Sequence, residues 1–319
     1  MTGHDPADND EALSRSLDVL MPRPGGGVVE ALSAELAAAR LCASLCDEPL
    51  ELRIADRYRL LEELGAGGMG VVYRAHDVTL ERDVAIKLLQ SLPGRDGTRD
   101  PARRDRLLEE ARTLAKLRDP HVVPVFEVGT HRGEVFMVME LVEGLELGAW
   151  VEATKPKVKE ILAAYVQAGR GLAAAHELDI IHRDFKPANA RRDPKGHVRV
   201  LDFGLAAQDQ GSSVRDCVSA GSSDVASALT RALVGTPRYM APEQREGRGV
   251  SAASDQYSFC VALHEALTGA PPSTERADAS ALAGRLPRWL QRVLQRGLQP
   301  DPALRYPSMR ALLDELARD

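Results

Sequence analysis

The chain of 319 residues lacks the features that mark membrane and secreted proteins. No apolar run reaches the roughly 18 uninterrupted residues that indicate a membrane-spanning helix, so we predict no membrane span. Residues 1–18 are polar and acidic, which is unlike a secretory signal peptide. Cysteine is scarce, and the four cysteines show no metal-site spacing, so we expect reduced thiols. These absences predict a cytoplasmic protein.

Charge and histidine content argue against two further classes of protein. The formal net charge is -6, and no basic footprint indicates a nucleic-acid partner. The eight histidines are scattered and suggest no metal cluster. Hydrophobic residues make up 44% of the chain, which is enough to bury a large core at this length. One large domain with an N-terminal extension fits these values.

The most informative stretch is His182–Asn189, which reads HRDFKPAN and is followed by the triplet DFG at 202–204. Its aspartate can accept a hydroxyl proton, and its lysine can neutralise a phosphoryl group in transfer. The asparagine and the aspartate of the later triplet can hold Mg²⁺. These four residues are Asp184, Lys186, Asn189 and Asp202. A short charged triplet occurs often by chance, but the two motifs together at this spacing strongly indicate phosphoryl transfer.

A glycine-rich segment, Leu64–Tyr73, precedes that stretch and reads LGAGGMGVVY. Glycines let the main chain approach a triphosphate closely and adopt positive φ in a hairpin. A similar glycine pattern occurs in dinucleotide-binding folds, but there a helix follows it. Here the β-favouring run 71–75 follows, which favours a hairpin. The next short apolar strand ends in Lys87, whose ammonium group could bind the α- and β-phosphates of a nucleotide.

These motifs, in this order, resemble those of the eukaryotic-like (Hanks-type) serine/threonine protein kinases, particularly the bacterial branch with its LGxGGMGxVY loop. The resemblance covers the chain from about Tyr58 to the C-terminus. It implies an α+β fold with two lobes: a mostly antiparallel β small lobe with one helix, and a mainly α-helical large lobe. It also implies ATP and Mg²⁺ as cofactors and protein Ser/Thr hydroxyls as acceptors.

The chain then divides into an N-terminal extension over residues 1–57 and a kinase domain over 58–319. We expect disorder over 1–27 and a helix over about 28–46, and we expect a small lobe over 58–139, a hinge over 140–144 and a large lobe over 145–319. Two interpretations of the N-terminal helix stay open. It caps the small lobe, or it serves as a docking or dimer helix.

The resemblance also implies which residues bind the nucleotide. Glu110, rather than its neighbour Glu109, is the expected ion-pair partner of Lys87. Met139 is the expected gatekeeper, and the main chain of the residues just after it would bind adenine. The complete nucleotide-binding set is Leu64, Gly65, Ala66, Gly67, Gly68, Gly70, Val72, Ala85, Lys87, Glu110, Met139, Glu140, Val142 and Arg191.

By the same resemblance, Asp184 is the base or orienting group for a Ser or Thr hydroxyl. Lys186 is typical of serine/threonine kinases, and Thr236 would support both residues. The resemblance further implies that Asp255 braces the main chain of the catalytic loop. It also implies an ion pair between Glu243 and Arg305, two residues that composition alone would leave as surface charges.

Two residues are expected to regulate activity. In the family, the arginine at the position of Arg183 pairs with a phosphorylated loop residue. Thr230, six residues before Thr236, matches the phosphorylation site of the bacterial branch, and we predict autophosphorylation there. A phosphate would add about -1.5 to -2 charges and could order the loop against Arg183. Autophosphorylation between two copies would require self-association.

One position departs from the family pattern. Arg191 falls where an apolar residue usually forms the floor under adenine, and an unpaired charge there would cost a few kcal/mol. Its guanidinium could stack on adenine, or the strand could turn it to solvent. We expect weakened ATP affinity with activity retained. The main alternative function is a pseudokinase that acts as a nucleotide- or protein-binding scaffold. A small-molecule phosphotransferase is disfavoured by the complete segment 235–243.

Overall fold

The computed structural model describes residues 28–45, 51–67, 70–89, 101–203, 238–272 and 286–318. The chain forms two compact units. The first unit comprises Met1–Glu109 and Val125–Leu141, and the second comprises Glu110–Pro124 and Val142–Asp319. In the part of the chain described, no helix combines the length and the apolar character needed to cross a bilayer.

The first unit is built on a six-stranded antiparallel sheet with the strand order β1-β2-β3-β4-β6-β5. Its strands are β1 (Arg53–Ile54), β2 (Tyr58–Gly67), β3 (Gly70–Asp77), β4 (Arg82–Leu89), β5 (Val125–His131) and β6 (Glu134–Glu140). β3 alternates buried and partly exposed side chains, which is typical of a strand with one covered face. β4 and β6 are buried along most of their length. These two strands therefore form the centre of the unit's core.

Helix α1 (Val28–Leu45) covers one face of this sheet. Val29, Leu32 and Leu36 recur at helical spacing and join the hydrophobic core of the first unit. Leu32 is completely buried in that cluster, which includes Tyr73 of β3 and Ile86 of β4. The N-terminal helix therefore caps the sheet, in agreement with the first of its two interpretations.

The second unit is mainly helical. Its helices are α3 (Leu147–Thr154), α4 (Val158–His176), α5 (Pro242–Arg245), α6 (Ala252–Thr268), α7 (Arg288–Gly297) and α8 (Met309–Leu316), with 3-10 turns at Pro187–Asn189 and Pro302–Leu304. Helix α2 (Pro101–Leu114) crosses the point in the chain where the first unit's range ends. A small antiparallel sheet consists of three strands in the order β7 (Leu145–Glu146), β8 (Ala190–Arg192) and β9 (Val198–Val200). α4 packs against α6, α8 and β9 and so forms the centre of this unit.

A buried ion pair ties the start of α5 to the segment between α7 and α8. Arg305 Nη1 and Nη2 donate to Oε1 and Oε2 of Glu243, each at 2.8 Å, and both side chains are almost fully buried. Ser254 Oγ also donates to Glu243 Oε1 at 2.8 Å. The remaining Arg305 donors reach main-chain carbonyls, which satisfies the guanidinium. The expected pairing of Glu243 with Arg305 is thus present in the structure.

This pair predicts an acid-sensitive contribution to stability. Burial raises the pKa of the Glu243 carboxyl, but the hydrogen bonds from Arg305 and Ser254 outweigh it and lower the pKa below the usual 4.5. The pair therefore stabilises the fold above that pH, and the contribution is lost as pH falls through the lowered value. We expect Glu243→Gln to reduce the free energy of unfolding at pH 7 by about 3–5 kcal/mol, because a buried arginine loses its counter-charge.

Urea unfolding of the whole chain at pH 7 and at acid pH measures this contribution. The variant should lose less stability on acidification than the wild type does, since it no longer has that carboxylate. A parallel pH dependence in the two proteins would contradict the assignment.

Candidate active site

The glycine-rich segment forms a tight antiparallel hairpin between β2 and β3. Gly65 pairs with Val72, Ala66 with Val71, and Gly67 with Gly70. Gly70 has φ +134°, and a β-carbon there would lie 2.0 Å from the carbonyl oxygen of Leu88. Only glycine fits at that position, because both the main-chain conformation and the space exclude a side chain. The predicted hairpin is therefore present, with Gly68 outside the described residues.

The face of the sheet opposite α1 carries several of the predicted nucleotide contacts. Val72 pairs with Lys87, which pairs with Met137, and Ala85 pairs with Met139. Cross-strand partners and residues two apart point to the same side of a sheet. The structure thus brings Val72, Ala85, Lys87 and Met139 together on one face, with Lys87 only 5% exposed.

The two acidic candidates on α2 differ in exposure. Glu109 is exposed, whereas Glu110 is partly buried, on the side of the helix that includes the buried Ala111. This difference favours Glu110 over Glu109 as the functional residue. Its pairing with Lys87 stays a prediction.

The catalytic loop of the second unit holds Asp184 through one of its two carboxylate oxygens. Lys186 Nζ donates to Asp184 Oδ2 at 2.8 Å, and Asn189 Nδ2 donates to the Asp184 carbonyl at 2.8 Å. Asn189 Nδ2 also lies 3.5 Å from Oδ2. Oδ1 has no hydrogen-bond partner among the residues that the structure describes. The carboxylate is thus fixed in orientation and keeps one oxygen available for a hydroxyl.

Asp255, at the start of α6, braces the main chain of this loop as expected. Its Oδ1 accepts from the Arg183 N–H and its Oδ2 from the His182 N–H, each at 2.8 Å. The Nε2 atom of His176, at the end of α4, lies 2.7 Å from Oδ2. Arg183 has φ +68°, a conformation that costs a non-glycine residue about 1–2 kcal/mol. The buried carboxylate offsets that cost by accepting hydrogen bonds from two successive N–H groups, those of His182 and Arg183.

Leu201, which precedes the candidate metal ligand Asp202, is hydrogen-bonded to the same loop. His182 Nε2 lies 2.8 Å from the carbonyl oxygen of Leu201, and a carbonyl can only accept, so this nitrogen carries the proton. Leu201 N–H donates to the Asn189 carbonyl at 2.8 Å. The Phe203 ring packs on His182 with a centroid distance of 4.8 Å. Asp202 stands between these two contacts, so its main chain is set close to that of Asn189.

Asn189 and Asp202 fit a divalent cation by their chemistry. The Asn189 amide nitrogen is used on the Asp184 carbonyl, so the amide oxygen is the atom left for a ligand. An amide oxygen and a carboxylate are the hard oxygen donors that Mg²⁺ prefers. The main-chain hydrogen bond from Leu201 to Asn189 keeps the two candidate metal ligands, Asn189 and Asp202, on adjacent segments.

Arg191 has a hydrogen-bond partner that the sequence did not reveal. Its Nη1 donates to the carbonyl oxygen of Val142 at 3.1 Å, and both residues belong to the second unit. The linker, which is the predicted hinge segment 140–144, bends close by at Gly144. This residue has φ +118°, and a β-carbon there would lie 2.2 Å from the Arg192 carbonyl oxygen. The guanidinium therefore has a main-chain hydrogen-bond acceptor. The Arg191 guanidinium donates to the main-chain carbonyl of Val142, a residue whose main chain is predicted to bind adenine.

Two contributors to the loop were not predicted from the sequence. His176 supports Asp255, and Gln244 Nε2 donates to the Arg183 carbonyl at 2.7 Å. A histidine in the last turn of an apolar helix is a weak signal for the first, and no local signal marks the second. Thr230 and Thr236 lie outside the described residues.

Comparison with known proteins agrees with this geometry. The protein kinase domain family matches residues 58–315. The serine/threonine-protein kinase PknB of Mycobacterium tuberculosis is 38% identical over 234 residues, which cover 71% of this chain and 35% of PknB. The DNA damage-responsive serine/threonine-protein kinase RqkA of Deinococcus radiodurans is 40% identical over 237 residues, covering 72% of this chain and 32% of RqkA. The chain thus spans about a third of the length of these curated relatives.

Solved structures agree at the level of the fold. A mutant of the Mycobacterium tuberculosis PknI kinase domain has a TM-score of 0.62 and 26% identity, covering 83% of this chain and 96% of that domain. The expected bilobal fold, with an antiparallel β small lobe and a helical large lobe, is confirmed. The chain belongs to the protein kinase family, in its bacterial eukaryotic-like (Hanks-type) serine/threonine branch.

Proposed function

We propose that the chain is a serine/threonine protein kinase that transfers the γ-phosphoryl group of ATP to protein hydroxyls. The observation that carries this proposal is the geometry of Asp184, whose carboxylate is held on one oxygen by Lys186, while the other oxygen has no partner among the described residues. The names of PknB and RqkA support the same activity. The phosphoryl acceptors would be the side-chain hydroxyls of Ser and Thr residues in protein substrates.

Asp184 has the arrangement that a hydroxyl-orienting base needs. The acceptor hydroxyl would donate to Oδ1, and its proton would pass to the carboxylate as the oxygen attacks phosphorus. Lys186 is close enough to Asp184 to place its positive charge beside the phosphoryl group in transfer. Most of the rate enhancement would come from positioning and charge neutralisation, because the enzyme forms no covalent intermediate in this scheme.

Asn189 and Asp202 would hold Mg²⁺ through their oxygen atoms. The ion, when bound, would neutralise charge on the phosphates of ATP. The contacts of Leu201 and Phe203 keep Asp202 next to the loop that carries Asn189. These residues thus support the assignment of ATP and Mg²⁺ as cofactors.

Several predicted residues would recognise the nucleotide. In the first unit, the main chain of the glycine-rich hairpin and Lys87 would bind phosphates, and Val72, Ala85 and Met139 would contact the base. The Glu140 carbonyl and the Val142 N–H would form hydrogen bonds to adenine. Glu110 would orient Lys87 toward the phosphates.

The reaction would take place in the cytoplasm and would be regulated by phosphorylation. The reduced thiols expected from the sequence and the proposed use of ATP favour a cytoplasmic reaction. Phosphorylation of Thr230 would add charge near Arg183 and order the loop, and transfer between two copies would require them to associate. Thr236 would support Asp184 and Lys186 during transfer.

Replacement of Asp184 tests the activity itself. We expect Asp184→Asn to lower phosphate incorporation into the chain and into a generic protein substrate by about 10²–10⁴-fold, because the base is lost. Transfer from radiolabelled ATP measures it. Asp179→Asn is a matched control, since Asp179 is exposed and has φ +58°, which asparagine also adopts readily. Wild-type incorporation no higher than that of Asp184→Asn would make the chain a pseudokinase.

Replacement of Arg191 tests nucleotide binding. We expect Arg191→Leu to bind ATP about tenfold more tightly, because leucine supplies apolar surface and releases the Val142 carbonyl. A nucleotide titration measures the change. Arg192→Leu is the matched control, because the Arg192 guanidinium lies over the Trp150 ring instead, 4.7 Å from its centroid. Equal affinities of wild type and Arg191→Leu would contradict the weakening.

Phosphopeptide mapping tests the proposed regulatory site. We expect Thr230 to be modified in the active chain and Thr230→Ala to lower activity, because the loop then lacks its phosphate. An unmodified Thr230 together with full activity of Thr230→Ala would rule out this role.

A further inference from the structure

A hydroxyl group on α1 joins the two strands that carry the glycine-rich hairpin. Ser33 Oγ donates to Glu63 Oε2 of β2 at 3.0 Å and lies 2.7 Å from the hydroxyl oxygen of Tyr73 in β3. Glu63 and Tyr73 are direct cross-strand partners. One side chain of the N-terminal helix therefore contacts both strands at the same position of their ladder.

The directions of these hydrogen bonds follow from the available protons. Serine has one hydroxyl proton, and the Glu63 carboxylate can only accept it. The Tyr73 hydroxyl is then the donor to Ser33 Oγ. Tyr73 is fully buried, and burial raises the pKa of its hydroxyl, so the proton stays in place. The two hydrogen bonds, from Tyr73 to Ser33 and from Ser33 to Glu63, end on a charged carboxylate. They are therefore stronger than hydrogen bonds between neutral groups.

This contact stands at the base of the hairpin. A register shift follows Glu63, and the next pair of residues is Gly65 with Val72. Residues 63–67 are exposed. Exposed glycines add little packing of their own, so residues 65–67 depend on the adjoining part of the ladder for their direction. The Ser33 hydrogen bonds lie directly before these residues.

We propose that Ser33 is a positioning residue for nucleotide binding, which fixes the base of the glycine-rich hairpin through its hydrogen bonds to Glu63 and Tyr73. The inference rests on the proposed function, because it requires the hairpin to bind ATP phosphates. Ser33 precedes residue 58, at which the family match begins. The N-terminal helix thus contributes to the site from outside the matched domain.

A second anchor of α1 provides the control. Arg132 Nη1 donates to Glu35 Oε1 at 2.8 Å. Arg132 lies between β5 and β6, and β5 forms the sheet edge opposite β1. Loss of this ion pair loosens the same helix and leaves the contact with Glu63 and Tyr73 in place.

Steady-state kinetics and direct titration with a fluorescent ATP analogue compare Ser33→Ala with Glu35→Gln in the full chain. We expect Ser33→Ala to raise the KM for ATP and the dissociation constant of the analogue about tenfold, with kcat within about twofold of wild type. Glu35→Gln should leave all three constants within about twofold of wild type. Ser33→Thr retains the hydroxyl and should restore the wild-type constants.

Three results would overturn the assignment. They are wild-type affinity in Ser33→Ala, an equal loss of affinity in Glu35→Gln, and failure of Ser33→Thr to restore binding. The analogue titration needs no turnover. An inactive wild-type chain would therefore count against the proposed kinase activity, while the titration would still decide the role of Ser33.

Discussion

The carboxylate of Asp255 is the contact on which the catalytic loop depends. It accepts main-chain hydrogen bonds from His182 and Arg183, just before Asp184, and so holds a bend that a non-glycine residue would not keep by itself. The hydrogen bond from Lys186 to Asp184 lies within the loop and begins one residue after this bend. Because Asp255 is buried, removal of its carboxylate would leave the His182 and Arg183 N–H groups unsatisfied away from water.

The helix that carries Asp255 is itself fixed by buried polar contacts. Ser254, its neighbour, donates to Glu243, which accepts both terminal donors of Arg305. Arg305 also reaches the carbonyl of Ala253 at 2.8 Å. Arg305 therefore binds the start of α6 in two ways: directly at the Ala253 carbonyl, and through Glu243, which accepts from Ser254. A network in which every member is satisfied fixes one arrangement, which a site that must place a carboxylate requires.

Sequence reasoning predicted the parts of the site that local motifs specify. The strands around Lys87 and the glycine hairpin follow from residue types at fixed spacings. The support from Asp255 and the Glu243–Arg305 pair join distant parts of the chain, and only the resemblance to the kinase family implied them. The sequence could not choose between the two interpretations of α1, because an amphipathic helix packs equally well on its own sheet or on a partner. It gave the position of Arg191 but not its partner, since the approach of Val142 depends on how the linker bends at Gly144.

The hydrogen bond from Arg191 to Val142 also bears on inhibitor chemistry. The Val142 carbonyl already has a charged hydrogen-bond donor, because Arg191 Nη1 lies 3.1 Å from it. A compound that donates to the Val142 oxygen must displace a guanidinium and leave it to find another partner. A compound that uses only the Val142 N–H meets no such competition. The single arginine thus sets a chemical criterion by which selective ligands for this chain can be designed.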